Sequence, residues 1–340
     1  MRAFVIGTTS WDAVHDLPDL RNVFNNAHGT FDAKIVSKKS YSHSGGSAIN
    51  SRLAFQAIAR ALGDHATVYT CTKLGEDGKN NVNKALVLRE IDNTGMNDDT
   101  LMDAAFGQVG YKVPMNTVIL NNGGRGIIKS TDDSKATDSE TIRHEIEAAV
   151  AKSKIVILHS RYPELALCAA QKAKELGIPV LFDCSETNPA IADKLGPVIE
   201  LSDYVTAPAD ALAPGMTEPN AEELFKRLRD SHRCQNFAIS NNNDPIRVFT
   251  NGQEIHIPVR TVNAIDLLGA GDTRDAAMAV FLAKGESFID ALEKGSDIAS
   301  LSIEYYGREW VPHVHQHMMN SPLYRRYFQT NVATPELVAA

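Results

Sequence analysis

Short apolar segments alternate with segments of helical spacing through the second half of the chain. The apolar runs, each read as a strand, lie at residues 155–158, 179–182, 204–207 and 237–240. Apolar positions with helical spacing lie between them at residues 163–176, 190–199 and 221–229, and Gly177 ends the first of these segments. Alternation of this kind is typical of right-handed βαβ units. The sequence therefore predicts an α/β fold with a mostly parallel sheet.

The first half of the chain adds further elements and two interruptions. Residues 2–7 and 66–72 are predicted strands, and residues 51–62 are a predicted helix that stops at Gly63. Strands at 108–113 and 117–120, a glycine turn at 121–124 and a strand at 126–129 predict a hairpin. A second hairpin is predicted around Asn251-Gly252, between strands 247–250 and 254–259. Because the first hairpin interrupts a βα chain, we expect a small β-lid, formed by about residues 12–44 and 105–130.

The ends of the four later strands share one edge of the predicted sheet. That edge carries His159, Asp183, Pro208 and Ser240, and ligands of open α/β sheets bind along the carboxyl ends of the strands. Gly7 follows the first strand, but residues 8–12 lack the Gly-x-Gly-x-x-Gly pattern of dinucleotide sites. This absence argues against a nicotinamide-dependent dehydrogenase.

Composition narrows the class of protein further. The 340 residues correspond to about two domains at ~150 residues each, or to one large α/β domain with an appendage, and the lid accounts for the extra length. The net charge of −8 argues against a nucleic-acid binder. The apolar run at 276–283 is far shorter than the ~20 residues of a membrane span. The four cysteines lack CxxC spacing, which is typical of a reduced, cytoplasmic protein.

The most informative segment is Asp266-Leu267-Leu268-Gly269-Ala270-Gly271-Asp272, directly before a helical pattern at 273–283. Gly269 and Gly271 let the backbone approach a ligand closely. A helix start adds free N–H donors and the positive end of a dipole, so residues 269–271 suit an anion such as a transferring phosphoryl group. Asp272 could accept the proton of an attacking hydroxyl. A structural helix cap after a glycine turn is the alternative.

A second segment, Ser44-Gly45-Gly46-Ser47-Ala48-Ile49-Asn50, opens the helix at 51–62. Gly45 and Gly46 permit close approach of a polyol, and the Asn50 amide offers both a donor and an acceptor. An ordinary turn and helix cap explains this segment equally well. A third segment, Gly75-Glu76-Asp77-Gly78, is by itself only a loop.

Together, these three segments resemble the ribokinase-like (PfkB) family of carbohydrate kinases in order and spacing, from about residue 2 to residue 310. The resemblance implies a central, mainly parallel sheet with helices on both faces and a β-lid over the sugar. It implies transfer of the ATP γ-phosphate to a hydroxyl of a sugar or nucleoside, with Mg²⁺ and in some members K⁺. On this basis residues 1–312 form the kinase domain and residues 313–340 a C-terminal extension.

The resemblance also implies roles for particular residues. Asp272 matches the catalytic base, and Gly269, Ala270 and Gly271 match the anion hole. Asp266 opens the box where the family binds a monovalent cation. The residues that match the sugar-binding positions are Asp12, Gly45, Gly46 and Asn50.

Several positions depart from the family pattern. Leu267 stands for the usual Thr, and Arg274 for the usual Phe. The Asn-x-x-Glu that supports Mg²⁺ and phosphate should fall at 206–210, where only Asp210 can replace the acid. The nucleotide loop that follows Ser240 carries Asn242 in an asparagine-rich turn rather than glycine. A divergent ATP-dependent kinase is the favoured interpretation; a non-catalytic sugar- or nucleotide-binding relative and a nucleoside kinase remain alternatives.

Three arginine-containing segments bear on the acceptor and on a protein partner. Arg161 follows the strand at 155–158, where ribose-specific relatives tend to carry a carboxylate, so a carboxylate or phosphate on the acceptor would suit its guanidinium. Arg125, near the lid turn, is a second candidate cation. Pairing of Arg161 with Glu164 or another surface acid is the alternative. Tyr324-Arg325-Arg326 is interpreted as a solvated face and a candidate contact in a homodimer.

Overall fold

The first strand shows why a parallel sheet forms the centre of this molecule. In the computed structural model, which describes residues 1–17, 37–75, 81–93, 100–104, 111–121, 124–129, 139–230 and 235–328, β1 spans Arg2–Ile6. Phe4 and Ile6 face one apolar core, and Ala3 and Val5 face a second core on the other side of the sheet. A strand buried on both faces belongs in a sheet that helices cover on both sides.

The central sheet has the order β13-β12-β11-β10-β9-β8-β1-β4-β5 among the described residues. The strands from β11 to β5 run parallel, whereas β12 and β13 form an antiparallel edge. Besides β1, its strands are β4 Thr67–Thr72, β5 Leu101–Asp103, β8 Ile155–His159, β9 Val180–Asp183, β10 Tyr204–Pro208, β11 Asn236–Ser240, β12 Ile246–Thr250 and β13 Gln253–Ile257. The predicted α/β class and the mainly parallel sheet are confirmed.

Helices cover the two faces of this sheet. One face holds α3 Glu140–Ala151, α4 Pro163–Leu176, α5 Pro189–Ala192, α6 Gly196–Leu201 and α7 Ala221–Asp230. The other face holds α1 Ser47–Ala61, α8 Ala270–Ala283, α9 Phe288–Ser302 and α10 Val314–Asn320. Helix α2 spans Val82–Asn93, and α11 spans Arg325–Phe328. The single helix predicted at 190–199 is wrong: α5 and α6 replace it, because Pro197 has no N–H with which to continue a preceding helix.

A second, smaller sheet forms the lid, with the order β3-β2-β6-β7. Its strands are β2 Ser10–Asp16, β3 Lys39–Gly45, β6 Met115–Asn121 and β7 Gly124–Ile128. The antiparallel pair β6–β7 confirms the predicted glycine-turn hairpin. The strand predicted at 108–113 is wrong at residues 111–113, which have no regular structure, while 108–110 lie outside the described residues. In the β12–β13 hairpin, Asn251 and Gly252 have φ of 50° and 76°, as a two-residue turn requires.

The described part of the C-terminal segment packs onto the central domain. Val314, Met318 and Tyr324 are buried in the core beside α8 and α9. The Tyr324 hydroxyl donates to the Lys294 carbonyl at 3.0 Å and to Asp297 at 2.9 Å. The interpretation of Tyr324 as part of a solvated face is therefore wrong, because its ring is covered and its hydroxyl has buried acceptors. The boundary at residue 313 and the homodimer stay predictions.

Two further findings bear on the predicted class. Every helix among the described residues is too short or too polar to cross a membrane. Cys71, Cys168 and Cys184 are buried, as expected for small core thiols, and Cys234 lies outside the described residues.

We expect Tyr324→Phe to lower the free energy of unfolding by about 1–2 kcal/mol at pH 7, since the single buried O–H that the Lys294 carbonyl and Asp297 share is lost. Burial alone would raise the pKa of Asp297, but His317, Tyr324 and Arg260 hold it below its usual value. This carboxylate therefore stabilises the fold fully at pH 7, and the stabilisation declines as the pH falls below ~4. Urea unfolding at pH 7 measures the effect.

Tyr305→Phe is the matched control for this prediction. Its ring stacks on His313, but its hydroxyl has no hydrogen-bond partner among the residues that the structure describes. Equal stability of the Tyr324→Phe and Tyr305→Phe variants would contradict the packing described for the C-terminal segment.

Candidate active site

The glycine-rich turn at 269–271 forms the start of helix α8. Gly269 caps this helix with φ of 73°, a conformation that glycine adopts without strain. A Cβ at Gly269 would also lie only 3.0 Å from Asn50 Nδ2. The first N–H groups of a helix have no partner within the helix, although the Ala270 N–H lies 3.5 Å from the Leu267 carbonyl oxygen. Helix starts of this kind can bind anions, and the anion site at 269–271 stays a prediction.

Asp272 lies in the first turn of the same helix and contacts two other elements. Its Oδ2 accepts a hydrogen bond from Asn50 Nδ2 of α1 at 2.8 Å. Its Oδ1 lies 4.0 Å from His159 Nδ1, at the end of β8. Helices α1 and α8 and strand β8 therefore meet at this carboxylate, and the two boxes predicted from the sequence come together here.

The surroundings of Asp272 shift its proton affinity. Burial raises the pKa of Asp272 above its usual value, and His159 and Asn50 oppose this shift while the carboxylates of Asp183 and Asp275 add to it. A carboxylate with a raised pKa accepts a proton more readily than an exposed one. This environment suits a general base.

His159 and Asp183 form a buried pair beside Asp272. His159 Nδ1 donates to Asp183 Oδ2 at 3.0 Å, and Nε2 lies 3.0 Å from Ser51 Oγ. Burial lowers the pKa of His159, but the hydrogen bond and charge of Asp183 and the charge of Asp272 outweigh it, so the pKa lies above its usual value. Ligand atoms of His159, Asp183 and Asp272 lie within 4.8 Å of one another. The sequence motifs assign no separate role to His159 and Asp183. The signal for their proximity was that both residues end strands at the same edge of the predicted sheet.

The residues predicted to bind an acceptor lie at the base of the lid. The Asp12 carboxylate accepts from Ser10 Oγ at 2.7 Å and from Asn116 Nδ2 at 2.9 Å. A Cβ at Gly45 would lie 1.9 Å from Asp12 Oδ2, and a Cβ at Gly46 would lie 2.5 Å from the Thr8 carbonyl oxygen. Only glycine fits both positions. The structure thus brings Asp12 against the Gly-Gly pair, and Asn116 is a neighbour that the sequence did not reveal.

The residues predicted for nucleotide binding line one cleft with the base. This cleft has a volume of about 1090 Å³. Its lining includes the turn at 269–271 and the side chains of Asp183, Asp210, Ser240, Asn242, Asp272 and Arg274. Asn242 has a φ of 49°, within the left-handed region that asparagine tolerates. The cleft joins the anion site to the ends of strands β9, β10 and β11.

The predicted cation residue Asp266 is already surrounded by protein donors. Its carboxylate accepts from the Tyr41 hydroxyl and from the N–H groups of Leu268 and Gly307, each of these two at 2.9 Å. These three donors leave acceptor capacity on Oδ1, which takes only the Leu268 N–H among the described residues. The monovalent cation at Asp266 stays a prediction, and we derive no step through such an ion.

Arg161 and Arg125, the two candidate cations for an anionic acceptor, both contact other groups of the protein. Arg161 lies 3.7 Å from Glu186 and not among the cleft-lining residues, while Glu164 pairs with Lys194. Arg161 therefore has an acidic partner, as the alternative interpretation predicted, but this partner is the buried Glu186 and not a surface acid. Arg125 of β7 lines the cleft and donates to the Leu267 carbonyl at 3.0 Å, so the lid contacts the 266–272 box directly.

Comparison with known proteins shows the family of this chain. The profile of the pfkB family carbohydrate kinases matches residues 21–309. The ribokinase of Bacillus subtilis is 26% identical over 263 residues, covering 75% of this chain and 81% of that protein. The bifunctional protein HldE of Bradyrhizobium diazoefficiens is 30% identical over 168 residues, covering 46% of this chain and only 33% of that protein. The chain therefore belongs to the pfkB family of carbohydrate kinases.

Solved structures share the fold. An Agrobacterium tumefaciens protein considered a ribokinase superposes with a TM-score of 0.72 at 18% identity, covering 94% of this chain and 99% of that one. Arabidopsis thaliana ribokinase, solved with ribose and ATP, gives a TM-score of 0.62 at 17% identity, covering 92% and 98% of the two chains. The ribokinase-like fold and the kinase class expected from the motifs are confirmed.

Proposed function

We propose that this chain is an ATP-dependent phosphotransferase that acts on a hydroxyl of a small carbohydrate or related polyol. The observation that carries the proposal is the position of Asp272: a partly buried carboxylate, held by Asn50, in the first turn of the helix whose start is the predicted anion site. Base and anion site at one helix start are what phosphoryl transfer to an alcohol needs.

The residues of the proposed site lie on two sides, one for the acceptor and one for the phosphoryl donor. On the acceptor side, Asp12 and Asn50 orient hydroxyl groups against the backbone of Gly45 and Gly46. The Asp272 carboxylate accepts the proton of the attacking hydroxyl. The N–H groups at 269–271 stabilise the charge on the transferring group, which moves in line between donor and acceptor oxygens.

ATP with Mg²⁺ supplies the phosphoryl group when bound. The oxygen-rich lining of the cleft fits a hard divalent cation: Asp183, Asp210 and Asp272 all contribute carboxylates there, and Mg²⁺ is bound through few carboxylates with waters retained. On the donor side, Ser240 and Asn242 lie where a nucleotide would cross the ends of the strands. We place the enzyme in the cytoplasm as part of the same proposal.

We favour a sugar over a nucleoside as the acceptor, and a neutral sugar over an anionic one. The ribokinase of Bacillus subtilis matches three quarters of the chain, which supports a monosaccharide. Arg161 pairs with Glu186, and an anionic acceptor bound by Arg161 stays a prediction.

ADP release with a panel of sugars, sugar acids, polyols and nucleosides tests the proposed function. We expect acceptor-dependent ADP release with at least one sugar or polyol. Release with nucleosides alone would favour a nucleoside kinase. ATP binding without acceptor-dependent release across the panel would instead favour a non-catalytic relative and overturn the proposal.

We expect Asn50→Ala to move the acidic limb of the kcat/KM–pH profile to higher pH. The hydrogen bond from Asn50 lowers the pKa of Asp272 against the effect of burial. Without this bond the carboxylate is protonated at higher pH, and a protonated base is inactive. Asn116→Ala is the control, because Asn116 contacts Asp12 rather than Asp272. A limb that stays in place in Asn50→Ala would argue against Asp272 as the titrating base.

A further inference from the structure

Arg274 is a buried cation in the wall of the cleft. It is the fifth residue of α8, two residues after Asp272, and is 7% exposed. Its Nε donates to Asp275 Oδ1 at 2.8 Å and its Nη1 donates to Ser240 Oγ at 2.9 Å. Asp275, which is fully buried, also accepts from Thr206 Oγ1 at 3.0 Å. The guanidinium is thus clamped between the start of α8 and the end of β11.

This clamp leaves part of the guanidinium for a ligand. Arginine carries five N–H donors, and within the described residues only the bonds to Asp275 and Ser240 use them. The side chain lines the same cleft as the turn at 269–271. The other two arginines of the cleft wall, Arg125 and Arg260, are exposed, so Arg274 is the cation that water screens least.

The cleft around Arg274 is rich in carboxylates. Asp183, Asp210 and Asp272 line it, and Asp275 lies directly behind Arg274. A polyphosphate that enters beside these carboxylates meets repulsion unless a cation lies close to it. A guanidinium binds phosphate oxygens in pairs and remains charged at every physiological pH.

We propose that Arg274 binds the polyphosphate of the phosphoryl donor, through N–H groups directed into the cleft. Its contact with Ser240 directs it toward the ends of the strands rather than toward Asp12, so it acts on the donor and not on the acceptor. Asp275 and Thr206 hold the guanidinium in place. The inference rests on the proposed function only in taking a nucleoside polyphosphate as the donor.

Calorimetry with adenosine, AMP, ADP, ATP and inorganic tripolyphosphate tests this role. We expect Arg274→Met to weaken ATP and tripolyphosphate by about 10- to 100-fold, the value of charged hydrogen bonds. Adenosine should bind as it does to the unmodified protein, and Arg274→Lys should retain part of the phosphate affinity. A merely structural role would weaken adenosine and ATP alike, and that result, or unchanged ATP affinity, would overturn the proposal.

Two further variants keep the test decisive. Arg274→Met leaves Asp275 without its cation, so the double variant Arg274→Met/Asp275→Asn restores the charge balance if the single variant fails to fold. Arg247→Met is the control, since Arg247 is an ion-paired arginine, bound to Glu222 and Glu254, that lies outside the cleft lining; it should leave every affinity unchanged. Tripolyphosphate binding needs no turnover. Failure of the kinase proposal and failure of this inference are therefore separate results.

Discussion

Asp272→Asn is expected to lower kcat by about 10²–10⁴-fold, because the amide keeps the shape of the carboxylate but cannot accept the hydroxyl proton. The fold should be retained, since the substitution removes a buried charge whose pKa burial already raises. Steady-state kinetics with the best acceptor of the panel and a thermal melt measure the two effects.

Asp290→Asn provides the control for this variant. Asp290 also lies in the first turn of a helix, α9, where it accepts from Ser287 Oγ at 2.6 Å, but it lies outside the cleft lining. We expect its kcat to be unchanged. Near-normal turnover in Asp272→Asn would remove Asp272 from the role of base.

Gly45→Ala is expected to raise the acceptor KM by about 10- to 100-fold, the value of charged hydrogen bonds. The added Cβ would lie 1.9 Å from Asp12 Oδ2, so the Asp12 carboxylate must leave its position. The affinity for ATP should stay the same, because the Gly-Gly pair lies on the acceptor side. Acceptor and nucleotide titrations of the variant separate the two effects.

Gly126→Ala is the matched control in the lid. Gly126 lies in β7, and a Cβ there would meet no atom within 4 Å. Equal acceptor KM values for Gly45→Ala and Gly126→Ala would show that Asp12 does not bind the acceptor.

The parts of the fold that depend on residues adjacent in the sequence were predictable. The Asn251-Gly252 turn, the stop at Gly177 and the parallel strands follow from local chemistry, and the structure has all of them. Tyr324 was misread because two arginines follow it in the sequence, and such a residue looks exposed until the helices that cover it are in place. Its partners, Lys294 and Asp297, are about 30 residues away along the chain.

The candidate site also has parts that the sequence identifies and parts that only the folded chain creates. The turn at 269–272 and the pair Gly45-Gly46 are contiguous motifs, so the sequence identifies them. The contact between Asn50 and Asp272 joins positions 222 residues apart, and only the assembled sheet creates it. His159 and Asp183 become a pair because β8 and β9 lie side by side. Side-chain partners such as Glu186 of Arg161 likewise depend on how loops pack, which residue types alone do not specify.

Phosphorus NMR of the reaction with the best acceptor tests the central claim most directly. The account predicts one new phosphomonoester for each ADP formed by the unmodified protein, and formation of both products about 10²–10⁴-fold more slowly with Asp272→Asn. ADP accompanied by inorganic phosphate alone, or phosphomonoester formation at the normal rate in Asp272→Asn, would contradict it.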